Sequence, residues 1–252
     1  MPVSTGPSWR GAGDRWSRRM AAGWGGVRSG WRCWRRRALL LQLLGTLIAL
    51  GWVPGNAVKL AIMVVFWVIG FGRLSRKEFV AGALINLLFI LMDRAALEQG
   101  IFQFRHPDSF GLPVYEFFIW GFYILHAIRF LDGPTPRADR RFWALGLAAA
   151  FGSCFLLLTD PSLLAVAAAA VLAASLVFFH EPIDCAYTVY VAAMGALVEY
   201  VGTETGQWAY PTAAGAGVPL WSFAMWGGIG LFTRRLLVPV LRGGIHSRPP
   251  VG

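Results

Sequence analysis

An all-α membrane bundle of about eight spans, built as two tandem four-helix repeats, is the fold class this sequence predicts. Three observations carry it: the composition, an internal register of 106 residues, and the distribution of basic side chains. Of the 252 residues, 56% are hydrophobic, and the apolar runs are longer than a soluble core uses, which places the chain in the polytopic membrane class.

The spans follow in order. Crossing the hydrocarbon takes roughly 20 apolar residues per helix, fewer where flanking residues snorkel. Candidates lie at about 38–54, 57–72, 79–92, 113–131, 142–158, 161–179, 185–201 and 219–238, and adding 106 to the first four lands on the last four within a few residues. The division is a disordered basic tail at 1–37, repeat one at 38–132, repeat two at 142–240, and a C-terminal tail at 241–252. Met20 is an alternative start, and a cleaved leader is disfavoured because 38–54 has a counterpart at 144–160.

The register is sharpest where "DRAALEQGIFQFRHPDSFGLPVYEFFIWG" (93–121) falls without a gap on "EYVGTETGQWAYPTAAGAGVPLWSFAMWG" (199–227). Asp93 meets Glu199, Glu98 meets Glu204, Gly100 meets Gly206, Phe102 meets Trp208, Phe104 meets Tyr210, Trp120 meets Trp226 and Arg129 meets Arg235. Four crossings per unit give both copies one orientation and a pseudo-twofold axis along the membrane normal.

Lys and Arg accumulate on the cytoplasmic side. With the N-terminus inside, twenty of the 23 basic residues fall on inner segments, and only Lys59, Arg94 and Arg105 fall outside. Both termini are then cytoplasmic and the matched loops lie on the outer side. The net charge of +10 is an orientation signal that touches anionic lipid, and calls for no nucleic acid. Cys33, Cys154 and Cys185 and the four histidines show no metal spacing. Zinc, phosphate-loop, nucleophile-elbow and dinucleotide signatures are absent, so no metal or cofactor is expected.

Topology brings the two loops together, and their acids converge. Asp93 and Glu199 are read as ending the third and seventh helices; Asp93 shares a face with Asn86, and Glu116 shares one with Trp120 and Tyr123. A carboxyl at the hydrocarbon edge is costly to ionise and can serve as a proton donor. Phe102, Phe104, Tyr115, Trp120, Trp208, Tyr210, Trp221 and Trp226 offer ring faces for a cation, at about 0.5–2 kcal/mol each. Acid plus aromatic lining suits carbocation chemistry on an apolar alkene. The plainer reading of the same residues is an interfacial aromatic belt, with solvated Glu98 and Glu204, first-turn prolines at 113 and 219, and a short polar turn at His180, Glu181 and Asp184.

"MDRAALEQGIFQF" followed by "LPVYEFF" resembles the lycopene cyclase domain of membrane carotenoid enzymes, and "EYVGTETGQWAYP" with "GVP" is similar to membrane carotenoid hydratases. The likeness covers about 57–131 and 163–237. Val114 and Tyr115 separate Pro113 from a single Glu116 where the cyclase pattern has adjacent acids, and the second copy has Leu220, Trp221 and Ser222 there. The resemblance implies an integral-membrane enzyme that cyclises a carotenoid or other terpenoid by protonation, with catalytic acids Asp93, Glu116 and Glu199. It implies an isoprenoid substrate taken from the bilayer and no redox cofactor. Alternatives are a carotenoid hydratase, a non-catalytic lipid- or pigment-binding or assembly protein, and a transporter. Substrate, product and assembly with like or unlike chains stay open.

Overall fold

The computed structural model describes residues 34–136, 140–211 and 217–242. Most of the basic tail, with Met20 and Cys33, lies outside the described residues, as do Arg137 and the stretch 243–252 with Arg248. The described residues fall into two units that divide between Leu41 and Gln42. In the first, 34–41 are helical, so the tail read as disordered to 37 is helical over its last four positions.

The second unit is helical with one small sheet. In order come α1 (42–52), α2 (Asn56–Phe71), α3 (Arg76–Glu98), β1 (Gln103–Phe104), α4 (Glu116–Phe130), α5 (Arg141–Leu157), α6 (Pro161–Phe179), α7 (Pro182–Glu204), β2 (Trp208–Ala209) and α8 (Leu220–Phe232). The last helix continues through a π-helical turn, Thr233–Leu237, into α9, Val238–Arg242. The chain is thus helical for two residues into the stretch read as the C-terminal tail.

Local chemistry sets the starts. Ser75 and Glu78 form a reciprocal capping box at α3. Asp160 accepts the Leu163 N–H at 2.7 Å and Pro161 occupies the first turn of α6. Two starts differ from the sequence expectation. Pro113 sits in a turn closed by Glu116 N–H to Pro113 O at 3.0 Å, so α4 opens at Glu116, and Pro219 is the N-cap of α8 rather than a first-turn residue.

α3 and α7 also run further than expected. Asp93 and Glu199 each lie five residues before the last residue of their helix, because Ala-Ala-Leu-Glu and Val-Gly-Thr-Glu continue the backbone bonding. Both helices stop where glycine takes the left-handed conformation, Gly100 at φ 69° and Gly206 at φ 66°. The following amides then bond back, Ile101 N–H to Ala96 O and Gln207 N–H to Gly202 O, which satisfies carbonyls the helix leaves open.

α3, α6 and α7 are long and apolar enough to cross a membrane, and α2 and α5 are shorter apolar helices. Leu84, Leu87, Leu88 and Leu91 on α3 and Val166 and Val177 on α6 are exposed. Apolar side chains facing outward along such helices are compatible with a membrane protein. α3 packs mainly on α4, α7 on α8, and α8 also on α6. Between α4 and α7, His126 Nε2 and Tyr190 Oη lie 2.6 Å apart. The buried Tyr187 and Thr188 have no partner for their hydroxyls among the described residues.

Candidate functional site

Three carboxyl groups line one cavity. Asp93 comes from α3, Glu116 from the first turn of α4 and Glu199 from α7, and they share a chamber of about 440 Å³. Seven of the eight aromatic residues singled out from the sequence belong to its wall: Phe102, Phe104, Trp120, Trp208, Tyr210, Trp221 and Trp226. The exception is Tyr115. It is fully buried away from the cavity, with the Lys59 ammonium 5.3 Å above its ring. It is the N-cap of α4, and the sequence gave no hint that Lys59 would cover it.

The acids differ in what holds them. Glu199 accepts three hydrogen bonds, from Trp208 Nε1 at 3.0 Å, Tyr210 Oη at 2.8 Å and Trp226 Nε1 at 3.1 Å. Asp93 accepts one, from Trp120 Nε1 at 2.9 Å. Glu116 is 4% exposed, and the Trp120 indole that donates to Asp93 also lies beside it. Burial, then the charge of Glu199, push the Tyr210 phenol well above its ordinary value, so it stays a donor to Glu199 across the physiological range.

Two self-pairings organise the chamber. β1 and β2 pair antiparallel with Gln103 opposite Ala209, two residues 106 positions apart. Trp120 stacks on Trp226, again 106 positions apart, with centroids at 5.1 Å and planes 24° from parallel. The indole N–H of Trp120 donates to Asp93 and that of Trp226 to Glu199, each acid lying 27 residues before its indole. Phe89 stacks on the other face of Trp120 at 4.3 Å, whereas its counterpart Gly195 leaves room for Trp226 to lie against α7.

The far wall was not legible. Phe155, Leu156, Leu158, Thr159 and Leu164, around the α5–α6 turn, complete the cavity, and apolar residues at a helix end carry no signal of their own. Tyr123 lines it as well, seven residues beyond Glu116 on the same helix face.

Elsewhere three of the basic residues read as orientation signals are buried and paired. Lys59, at the outer end of the second predicted span, is buried in α2 and bonds to Gln207 Oε1. Arg234 and Arg235, counted among the basic residues of inner segments, are 1% and 2% exposed, and both bind Asp184 and Glu181. The supposed polar turn at 180–184 is therefore half of a buried ion cluster. Its counterpart, 106 residues earlier, is Arg129 with Glu78, 3.0 Å from Arg129 Nε to Glu78 Oε1. Glu98 and Glu204 are exposed, as expected.

No protein-family model, curated protein or solved structure matches this chain.

Proposed function

We propose that the protein is an integral-membrane enzyme that cyclises the end of a carotenoid or other terpenoid by protonating a terminal double bond. The observation that carries the reading is the convergence of three unequally hydrogen-bonded carboxyls on one aromatic-walled cavity. A cavity of this size takes one end group of a long chain rather than the whole of it.

The roles follow from the partners of each acid. An ionised carboxylate buried with few donors is penalised by several kcal/mol, so Glu116, with less hydrogen bonding than Glu199, is the neutral, proton-bearing acid. Glu199, with three donors, is the carboxylate that accepts. Glu116 gives its proton to the terminal alkene carbon, and the indole and phenyl faces stabilise the resulting cation. A neighbouring double bond supplies the electron pair for the new carbon–carbon bond. Glu199 then removes a ring proton, leaving an isomer of the starting material. The step is redox-neutral and its proton returns from Glu199 to Glu116 before the next turnover. Asp93 fixes the Trp120 ring that faces the cation.

Around this site we read eight membrane spans in two tandem four-helix repeats, with both termini cytoplasmic. The self-pairing of Gln103 with Ala209 and of Trp120 with Trp226 supports the repeat, since a twofold axis brings each residue onto its own equivalent. The equivalent ion pairs Arg129–Glu78 and Arg235–Asp184 support the same axis.

The test is expression of the full chain in a lycopene-accumulating bacterial host, followed by pigment chromatography and mass spectrometry. A ring-bearing isomer is the expected product. An unchanged pigment profile with membrane-inserted protein would remove the reading, and a product heavier by one water would replace cyclisation by hydration.

A further inference from the structure

The two halves differ at one place that the 106-residue register makes comparable. In the first half, the end of α1 closes onto the end of α7: a Cβ added to Gly51 would lie 3.0 Å from both Val201 Cγ1 and Thr205 Cγ2. Gln207 seals that contact, donating to Gly51 O at 3.4 Å and accepting from Lys59. The corresponding residues of the other half are Leu157 at the end of α5, and Ala95 and Gln99 at the end of α3. Here the contact is open. Leu157 is 76% exposed, and Ala95 and Gln99 line the cavity.

The rim of this gap is at once outside and inside. Leu156 is 72% exposed and Met92 is 39% exposed, yet both line the same chamber as the acids. Thr159 and Gln99, also exposed and also lining, give the gap a polar edge beside its apolar one. That amphipathic rim at the ends of apolar helices matches the boundary between hydrocarbon and headgroups. Leucine in place of glycine is the local cause, because its side chain stands where the close approach of α1 and α7 needs no side chain at all.

We infer that the cavity opens sideways between the end of α3 and the α5–α6 turn, and that a linear isoprenoid longer than the cavity lies through this mouth with one end among the acids. The inference rests on the isoprenoid reading above and adds a route and a length class. One mouth per chain means that one end of the substrate is processed at a time, with the remainder left in the bilayer.

The experiment places the photo-crosslinker p-benzoylphenylalanine at Leu156, 72% exposed, and separately at Trp52, 66% exposed, which is the counterpart of Leu158 in the closed half. Full-length protein in membranes of a lycopene-accumulating host is irradiated, and adducts are identified by intact-protein mass. A lycopene adduct at position 156, with many-fold less at 52, is expected, and it persists in a Glu116→Gln background because binding precedes chemistry. A second label at Met92 guards against a local folding fault at 156. Equal lycopene adducts at both faces, or none at 156 and 92, would overturn the mouth. A ringed product without the crosslinking preference would discard the mouth and keep the enzyme; the preference without a product would do the reverse.

Discussion

Trp120 and Trp226 stack 5.1 Å apart in the wall of the cavity, and each donates its indole N–H to a carboxyl, Trp120 to Asp93 and Trp226 to Glu199. The stack therefore fixes two carboxyls through one ring contact. Trp226→Phe keeps an aromatic surface but removes a donor from Glu199. The expected loss is about 1.5–3 kcal/mol where the acceptor is ionised. Chemical unfolding in detergent checks it, with Glu199→Gln as the second arm of a double-mutant cycle. The pair is expected to be non-additive, since each change removes the same bond.

Gly195 makes the stack sterically permissible. A Cβ there would fall 2.0 Å from Trp226 Cγ and Cδ2, so the indole must move or the helices part. Gly195→Ala is expected to destabilise by about 1–3 kcal/mol as an overpacked core substitution. The same change should lower product yield, while Gly146→Ala, with nothing within 4 Å of its Cβ, should leave both untouched.

How far the sequence carried the fold depends on what each residue's signal was. Asp93, Trp120, Glu199 and Trp226 stood out because they are scarce types in matched order, and all four line one chamber. The ion clusters were not legible, although Glu78 with Asp184 and Arg129 with Arg235 obey the same offset. Arginines near helix ends also look like orientation signals, and nothing in local sequence tells a buried guanidinium from a solvated one. Helix ends were placed too early because Asp93 and Glu199 are polar; a buried acid inside a helix breaks the apolar run without ending the helix. Lys59 escaped for the opposite reason, since its long side chain sits on a short apolar helix whose rotation the sequence leaves unset.

Asp184 is completely buried, and its carboxylate is shared by Arg234 and Arg235. Removing the charge leaves two guanidinium groups around a neutral amide. Asp184→Asn is expected to cost about 3–5 kcal/mol, as for a buried pair broken on one side. Glu78→Gln, whose pair with Arg129 is partly exposed, should cost less. Glu181 adds a pH signature. Burial raises its carboxyl, but hydrogen bonds and charges from Arg234 and Arg235 outweigh that and hold it below its ordinary value of 4.5. A depressed value means that the stabilisation is present above the unfolded-state value and is lost as pH falls through the folded one. Acid titration of unfolding should show this loss below about pH 4.5, and Glu181→Gln should flatten it.

The three acids separate by role in a single series. Glu116→Gln keeps the size of the side chain but removes the transferable proton, so ringed product should fall by about 10²–10⁴-fold, the usual contribution of a general acid. Glu199→Gln removes the proton acceptor, and three donors then face an amide that accepts at only one atom; a comparable fall in ringed product is expected, with water-quenched or unrearranged material in its place. Asp93→Asn retains an oxygen that can accept from Trp120, so the ring stays in position and the yield should drop only a few-fold. Equal effects at all three positions would assign the acids a shared structural role. Yields normalised to membrane-inserted protein, measured alongside unfolding of each variant, distinguish the two outcomes.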